Sequence, residues 1–256
     1  MRPGMIIALH VFALGAGCAG PRASGGQGAR LGDDLEVRPL AKGVWLHVST
    51  RQIPGYGPFP SNGLIVLAPQ GALLVDTPYD DSQTRRLLRW IKDALGAEVK
   101  ELIVTHSHDD RMGGIKEVLA AGAVARSLPG TAERAQRAGR PAPTLLLEPE
   151  VSSQILGERV ETFFPGPAHA PDNLVVWLPE RQVLFGGCLV RAASATGLGN
   201  LEDADVPGWR IAIEEVTDRF SSARTVVPGH GAPGSAELFA HTRELVEQEL
   251  SRATPR

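Results

Sequence analysis

Residues 106–110 read His106-Ser107-His108-Asp109-Asp110, and they follow an apolar, β-branched run at 101–105 that predicts a strand. A helix advances about 100° per residue, so side chains at positions i, i+2 and i+4 would diverge on it. The spacing of the two histidines and Asp110 therefore predicts a loop, and the following Gly113-Gly114 and an expected short helix over 115–121 make it a strand-to-helix turn. By itself the stretch suits a solvated histidine-rich loop as well as a metal site.

Three more metal-binding residue types lie far away in the sequence, each after another predicted strand: His169, Cys188 and His230. Those strands are expected over 160–164, 182–185 and 225–227. Imidazole, thiolate and carboxylate are the donors that zinc prefers, and the six groups would provide two sites of three ligands each, leaving positions open for water. A structural zinc has four protein ligands and commonly uses cysteine pairs, whereas this chain has two cysteines in total. The sequence therefore favours a catalytic pair of zinc ions.

Five motifs occur in order along the chain: His106-x-His108-x-Asp110-Arg111, Pro165-Gly166-Pro167-Ala168-His169-Ala170-Pro171-Asp172-Asn173, Gly186-Gly187-Cys188, Gly199-Asn200 and Pro228-Gly229-His230-Gly231. Together they resemble the class B metallo-β-lactamases, specifically the first subclass, whose second zinc is held by an Asp, a Cys and a His. The resemblance covers nearly the whole chain after residue 35. It implies an αβ/βα sandwich, with two facing sheets and helices outside.

Two positions separate this subclass from its relatives. Glyoxalase II-like hydrolases and the third lactamase subclass usually have a ligand His where this chain has Arg111, and the second, single-zinc subclass generally has Asn where this chain has His106. The resemblance therefore implies two zinc ions. It assigns the first to His106, His108 and His169, and the second to Asp110, Cys188 and His230.

The activity implied by the resemblance is β-lactam ring opening in penicillins, cephalosporins and carbapenems, which confers antibiotic resistance. A zinc pair can lower the pKa of a bound water from about 16 towards about 7, giving a hydroxide nucleophile at neutral pH. In this interpretation Asp110 orients the hydroxide and Asn200 donates a hydrogen bond to the substrate carbonyl. Arg191 stands where many family members have a Lys that pairs with the substrate carboxylate; the alternative is a solvated arginine.

A glycine- and proline-containing segment at 53–60, here called the flap, occupies the place of a substrate-covering hairpin in the family. Tyr56 and Phe59 are its candidate substrate contacts, although each could equally be an incidentally exposed aromatic in a plain turn. Asp76, which ends a predicted strand, is expected to accept a ring N–H of a ligand histidine or to brace Arg111. A helix N-cap is the competing interpretation for Asp76.

The remaining sequence indicates one catalytic α/β domain over 35–256, without nucleic-acid contacts. Strand-like runs alternate with amphipathic segments at 80–95, 207–220 and 235–251. The formal net charge of −3 gives no bulk attraction to nucleic acid, and no basic stripe with interleaved aromatics is present. His10, His47 and His241 are interpreted as surface or core histidines outside the site. We expect a monomer that takes a small-molecule substrate.

Residues 1–18 are typical of a secretory signal peptide, because Arg2 precedes an apolar stretch too short to span a bilayer and small residues follow. This predicts export to a bacterial periplasm. Gly15-Ala16-Gly17-Cys18 resembles a lipoprotein processing box, with the usual Leu displaced by one position. Lipid on Cys18 would anchor the protein to the outer membrane through a flexible tether at 19–34; cleavage by an ordinary signal peptidase is the alternative.

Two other functions fit the sequence. A hydrolase of the same fold acting on lactones or thioesters would use the same hydroxide without needing a carboxylate clamp at Arg191. A zinc-binding envelope lipoprotein without catalysis would have little use for two three-ligand sites with open positions.

Overall fold

Eight strands and four helices make up the first half of the fold. The computed structural model describes residues 27–253, and the first eight strands form one sheet in sequential order. In chain order the elements are β1 (Ala29–Arg30), β2 (Leu35–Ala41), β3 (Val44–Ile53), β4 (Gly57–Ala68), β5 (Gly71–Val75), α1 (Asp81–Leu95), β6 (Val99–Ile103), α2 (Asp109–Met112), α3 (Ile115–Ala120), β7 (Val124–Ser127), α4 (Pro129–Arg137) and β8 (Leu145–Leu146).

Five strands form the second sheet, in the order β13-β12-β11-β10-β9. Its pairs are antiparallel except that β12 and β13 run parallel, and α5 connects those two strands. The elements are β9 (Glu150–Ile155), β10 (Glu158–Phe163), β11 (Val175–Leu178), β12 (Val183–Gly187), α5 (Val206–Arg219), β13 (Thr225–Pro228) and α6 (Glu237–Ala253), with a 3₁₀ turn at Pro179–Arg181.

The two sheets pack face to face, with helices against their outer sides. One core contains apolar side chains of both sheets, including the fully buried Val75, Phe185 and Val227. Strands β5 and β12 are almost continuously apolar because both of their faces are covered. Two further cores lie against α1 and α3 on one side and against α5 and α6 on the other. The predicted αβ/βα sandwich is confirmed.

The helices predicted from amphipathic spacing are present, with ends shifted by one or two residues. Helix α1 begins after Asp80, whose carboxylate accepts a hydrogen bond from Gln83 N (2.8 Å), and it ends at Gly96 with φ 64°. Side-chain capping at the start and a left-handed glycine at the end are the usual terminators of a helix. Asp80, and not Asp76, is therefore the N-cap.

The N-terminal boundary differs from the prediction. Ala29 and Arg30, assigned above to the tether, pair with Val37 and Glu36 of β2, and Leu31 packs against the α1-side core. Ordered structure therefore starts before residue 35, because a strand edge and an apolar side chain hold this segment on the sheet. The signal peptide and Cys18 lie outside the described residues. Within 27–253, none of the helices has the length and apolarity that crossing a bilayer requires.

Candidate metal centre

Three histidines meet beyond the C-terminal ends of β6 and β10. His106 and His108 follow β6, and His169 follows β10. One ring nitrogen from each histidine lies within 4.8 Å of the others, and His106 Nε2 is 3.1 Å from His108 Nδ1. A tetrahedral zinc with Zn–N distances of about 2.0–2.1 Å holds neighbouring nitrogens about 3.3 Å apart. The first triad is thus close to the arrangement that one zinc ion requires.

Asp110, Cys188 and His230 form a second triad. Asp110 Oδ2 lies 3.1 Å from His230 Nε2, and Cys188 Sγ lies 3.4 Å from His230 Nε2 and 3.6 Å from Asp110 Oδ2. Gly229 makes this approach possible, because a Cβ at that position would lie 2.6 Å from the Cys188 sulfur. Cys188 is the free cysteine of the described part of the chain, so its thiol is available to a metal.

The stretch that carries Asp110 departs from the predicted loop. His106 and His108 do lie in a bend, but Asp109–Met112 form one turn of helix, α2. The His108 carbonyl accepts hydrogen bonds from Arg111 N (3.0 Å) and Met112 N (3.2 Å), which closes the turn. The i, i+2, i+4 pattern did not reveal this because only the last of its three positions enters the helix.

The charges of the two triads differ in a way that suits metal binding. Burial is the main cause that lowers the pKa of His169 to about 3 and that of His106 well below its ordinary value, so both rings are neutral and offer lone pairs. Burial alone would also lower the pKa of His230, but the neighbouring Cys188 sulfur and Asp110 carboxylate raise it to about 9. A proton is thus held strongly on the His230 ring beside Asp110 and Cys188, and a divalent cation could take its place among the same donors. The donor set fits metal ions at both triads.

Arg111 supports the second triad from beneath. Its guanidinium is fully buried and makes ion pairs with Asp110 (2.7 Å) and Asp76 (3.2 Å). Burial alone would raise the pKa of Asp110, but the Arg111 charge and the His230 hydrogen bond hold it well below its usual range. The guanidinium also donates to the Asn62 carbonyl, the Gly229 carbonyl and the Ser61 hydroxyl.

Asp76 reaches Arg111 from a left-handed backbone conformation, φ 59°, that non-glycine residues rarely adopt. Its carboxylate also accepts from Thr105 N (2.7 Å) and Thr105 Oγ1 (2.8 Å). Burial raises the pKa of Asp76 to about 6 against these opposing contacts, so the group is ionised at neutral pH. Of the two roles predicted for Asp76, the contacts fit bracing of Arg111, since its other bonds go to Thr105 and not to a ligand histidine.

Asp203 is a site residue that the sequence analysis missed. Its carboxylate lies 2.9 Å from His108 Nε2 and pairs at 3.7 Å with Arg134 of α4. A carboxylate on the second ring nitrogen of a ligand histidine fixes the tautomer and the ring orientation. Asp203 stands in an ordinary-looking loop far from His108 in the sequence, so no local pattern marked it.

Both triads open into a cleft of roughly 920 Å³ whose lining includes the four predicted substrate contacts, Tyr56, Phe59, Arg191 and Asn200. Arg191 Nε donates to the Gly197 carbonyl (3.1 Å), and the Asn200 side-chain oxygen accepts from Glu202 N (3.1 Å). The predicted hairpin is present at the flap, where β3 and β4 pair from Ile53↔Gly57 onward. Tyr56 lies at its tip with 77% of its surface exposed.

His47, which was predicted to lie outside the site, is a buried core histidine. Its Nε2 lies 3.1 Å from the Asp76 carbonyl, and burial lowers its pKa to about 4. His241 is half-buried with Nε2 3.0 Å from the Ala195 carbonyl. Neither histidine lies in a triad.

The depressed pKa of His47 predicts acid sensitivity. The neutral ring is favoured in the fold, so its stabilisation is complete above pH 6.5 and is lost as the pH falls towards 4, by up to about 3 kcal/mol. His47→Gln keeps an N–H donor for the Asp76 carbonyl and cannot titrate. We expect urea unfolding of the metal-free variant to lose less free energy between pH 7 and pH 4.5 than wild type, while His106 and His169 keep part of the effect in both. Equal losses would contradict this.

Comparison with known proteins identifies the family. Residues 56–230 match the model of the metallo-beta-lactamase superfamily. The chain is 38% identical over 221 residues to a metallo-beta-lactamase type 2 of Bacteroides fragilis. The matched residues make up 86% of this chain and 89% of that protein. It is 39% identical over 213 residues to the metallo-beta-lactamase type 2 of Bacillus cereus, with 83% of each chain covered.

Solved structures agree with the sequence relatives. A metallo-beta-lactamase from Pontibacter korlensis superposes with a TM-score of 0.80 at 39% identity, covering 83% of this chain and 99% of that one. The metallo-beta-lactamase FIM-1 from Pseudomonas aeruginosa in its mono-zinc form gives 0.80 at 37% identity, covering 86% and 99%. With its Asp-Cys-His triad, this chain therefore belongs to the metallo-β-lactamase superfamily and, within it, to the first subclass.

Proposed function

We propose that this enzyme opens the β-lactam ring of penicillins, cephalosporins and carbapenems with two zinc ions, one in each triad, and so confers resistance to these antibiotics. The observation that carries the proposal is the pair of three-donor groups lining one open cleft in a member of this family. Zinc bound there would activate a water near neutral pH and polarise the substrate carbonyl. The ligand residues supply three donors per ion, which leaves coordination positions open.

The protein's own groups orient the reactants. Asp110 stays ionised beside Arg111 and so can accept a hydrogen bond from the attacking water. The Asn200 side-chain oxygen accepts a hydrogen bond from the backbone N–H of Glu202. The Asn200 side-chain NH2 group is therefore free to donate to the substrate carbonyl oxygen. Donors fixed before the reaction stabilise the charge that develops on that oxygen.

Arg191 is proposed to hold the substrate carboxylate. Its Nε bond to the Gly197 carbonyl and the close approach of Gly199 to the guanidinium fix the side chain in the cleft wall. A guanidinium held in this way can make two parallel hydrogen bonds to a carboxylate. This contact gives a reason for the cleft to prefer β-lactams over lactones and thioesters that lack the carboxylate.

We predict that Arg191→Ala raises KM for penicillins and cephalosporins by about 10- to 100-fold while kcat changes little, because a hydrogen bond to a charged group contributes about 1.5–3 kcal/mol. The measurement is steady-state hydrolysis of several substrates of both classes. Arg191→Lys is the matched control and should keep most of the affinity. An unchanged KM in Arg191→Ala would remove this role.

Lactone or thioester hydrolysis by the same site is the second candidate function. Purified protein with added zinc should be assayed on nitrocefin, imipenem and a thioester, before and after EDTA. The proposal expects chelator-sensitive β-lactam cleavage that exceeds thioester cleavage. The reverse order would favour the alternative, and absence of any hydrolysis despite two bound zinc ions would favour a non-catalytic zinc protein.

We further propose that the protein is exported to the bacterial periplasm as a monomer, with lipid on Cys18 as its anchor to the outer membrane. The support is the leader at 1–18 and its lipoprotein-like box. Globomycin should block processing, and the mature chain should carry an acyl mass on Cys18. Globomycin-insensitive processing without that mass would show cleavage by the ordinary signal peptidase instead.

A further inference from the structure

The flap and the second triad share one strand. The β4 residues 57–59 form one arm of the flap, pairing with 51–53 of β3. The next residues of the same strand hold the loop that carries His230. Asn62 N donates to the Gly229 carbonyl (2.9 Å), and Asn62 Nδ2 donates to the Pro228 (2.8 Å) and Gly231 (2.7 Å) carbonyls.

His230 itself is contacted by the last two flap residues. Its Nδ1 lies 2.7 Å from the Pro60 carbonyl, which can only accept, so Nδ1 carries a proton and Nε2 is the nitrogen that would bind a metal in place of the proton held between Asp110 and Cys188. The ring of Phe59 lies against the His230 ring, with centroids 4.6 Å apart and planes inclined by 37°. The Tyr56 ring at the flap tip meets Phe59 edge-on at 6.0 Å.

We propose that Phe59 and Pro60 are positioning residues for His230, and that through them flap order and metal occupancy at the second triad favour each other. Phe59 fixes the plane of the imidazole, and the Pro60 carbonyl fixes its tautomer and rotation. A metal bound to Nε2 would immobilise the His230 imidazole from its other side. The ring against which Phe59 packs would then also be fixed. Such coupling is reciprocal by thermodynamic necessity: an ordered flap strengthens metal binding as much as bound metal orders the flap.

The inference rests on the metal assignment proposed above and extends the role of Phe59, which would otherwise be a substrate contact alone. A flap coupled in this way would be more ordered for substrate when the second ion is present. The contact between Phe59 and His230 should change the affinity of the second triad for a metal ion by about 3- to 10-fold, which is the range expected for one aromatic pair.

The test is titration of metal-free protein with Co(II), with no β-lactam present. Charge-transfer absorption from the Cys188 thiolate reports the second triad, and d–d absorption reports both ions. Phe59→Leu keeps an apolar side chain but removes the ring contact. This variant should raise the dissociation constant of the Co(II) ion that Cys188 binds, here called the Cys188-reporting equivalent, by about 3- to 10-fold. The dissociation constant of the other Co(II) ion should be unchanged. Tyr56→Leu removes a flap ring that reaches His230 only through Phe59, so it should weaken the Cys188-reporting equivalent less than Phe59→Leu does. Phe59→Tyr keeps the ring contact and should retain the wild-type affinity.

A second measurement is amide hydrogen exchange over residues 53–60. In wild type these amides should be more protected after the Cys188-reporting equivalent binds, and in Phe59→Leu this gain should shrink. Wild-type Co(II) affinity in Phe59→Leu together with unchanged flap protection would overturn the inference. Failure of the β-lactamase proposal would show separately, as absent nitrocefin turnover with the metal coupling intact.

Discussion

Replacing Arg111 with methionine is expected to lower the free energy of unfolding by about 3–5 kcal/mol, because removing one partner of a buried ion pair leaves an uncompensated charge. Arg111 is fully buried between Asp76 and Asp110. Methionine fills much of the space but provides none of the five N–H donors with which the guanidinium makes six polar contacts. Two carboxylates and two backbone carbonyls would each lose at least one donor.

Urea denaturation at pH 7 of metal-free protein measures this loss. Arg85→Met is the matched control, since Arg85 pairs with Glu117 at the surface with 54% of its side chain exposed; it should cost at most about 1 kcal/mol. The same Arg111 variant should bind its second metal ion more weakly, because the Asp110 carboxylate loses the charge that keeps it ionised. A cost below about 1 kcal/mol for Arg111→Met would show that Arg111 is not the support of this site.

Replacing Cys188 with alanine should lower kcat/KM for nitrocefin by at least about 100-fold, because a metal ion supplies several kcal/mol of transition-state stabilisation and 1.36 kcal/mol corresponds to tenfold in rate. The variant keeps Asp110 and His230 but leaves the second triad with two donors. Zinc content measured at limiting zinc should fall from two ions per chain towards one.

Cys188→Ser is the control that separates ligation from packing, since the hydroxyl is nearly isosteric with the thiol but a poorer zinc ligand. It should retain the fold and give an intermediate zinc content. If Cys188→Ala kept two tightly bound zinc ions and wild-type turnover, the sulfur would not be a ligand. Because Cys188 is buried beside Gly229, thermal denaturation should accompany both assays.

The approximate place of each ligand was readable from the sequence, because every one of the four ligand-bearing stretches follows an apolar run. Those runs became β6, β10, β12 and β13, within two residues of the predicted limits. The fold followed from the motifs and their family resemblance. The family resemblance assigned the stretches to two ligand sets, and the face-to-face packing of the sheets brings them together, since β6 lies in one sheet and β10, β12 and β13 lie in the other.

Side-chain contacts between distant segments were not readable in the same way. Asp203 reaches His108 across 95 residues, and nothing in its local sequence distinguishes it from a solvated aspartate. Asn62 looked like an ordinary strand residue, yet it holds the His230 loop by hydrogen bonds. Such pairings depend on the packing of one sheet on the other, which residue spacing along a single strand does not encode.

The helical turn α2 is a place where the prediction from local spacing was wrong. The pattern of His106, His108 and Asp110 suggested a loop throughout, but Asp109 is held by Arg51 of β3 (3.0 Å) and by Arg140 beyond α4. These two ion pairs come from segments 58 and 31 positions away.

Anomalous diffraction at the zinc absorption edge, from crystals grown with excess zinc, tests most directly whether two metal ions lie where the six donors meet. We expect two peaks about 3.5–4 Å apart. One should lie about 2.0–2.1 Å from a nitrogen of each of His106, His108 and His169, and the other about 2.0–2.3 Å from donor atoms of Asp110, Cys188 and His230. Either triad without a zinc peak under these conditions would contradict the assignment.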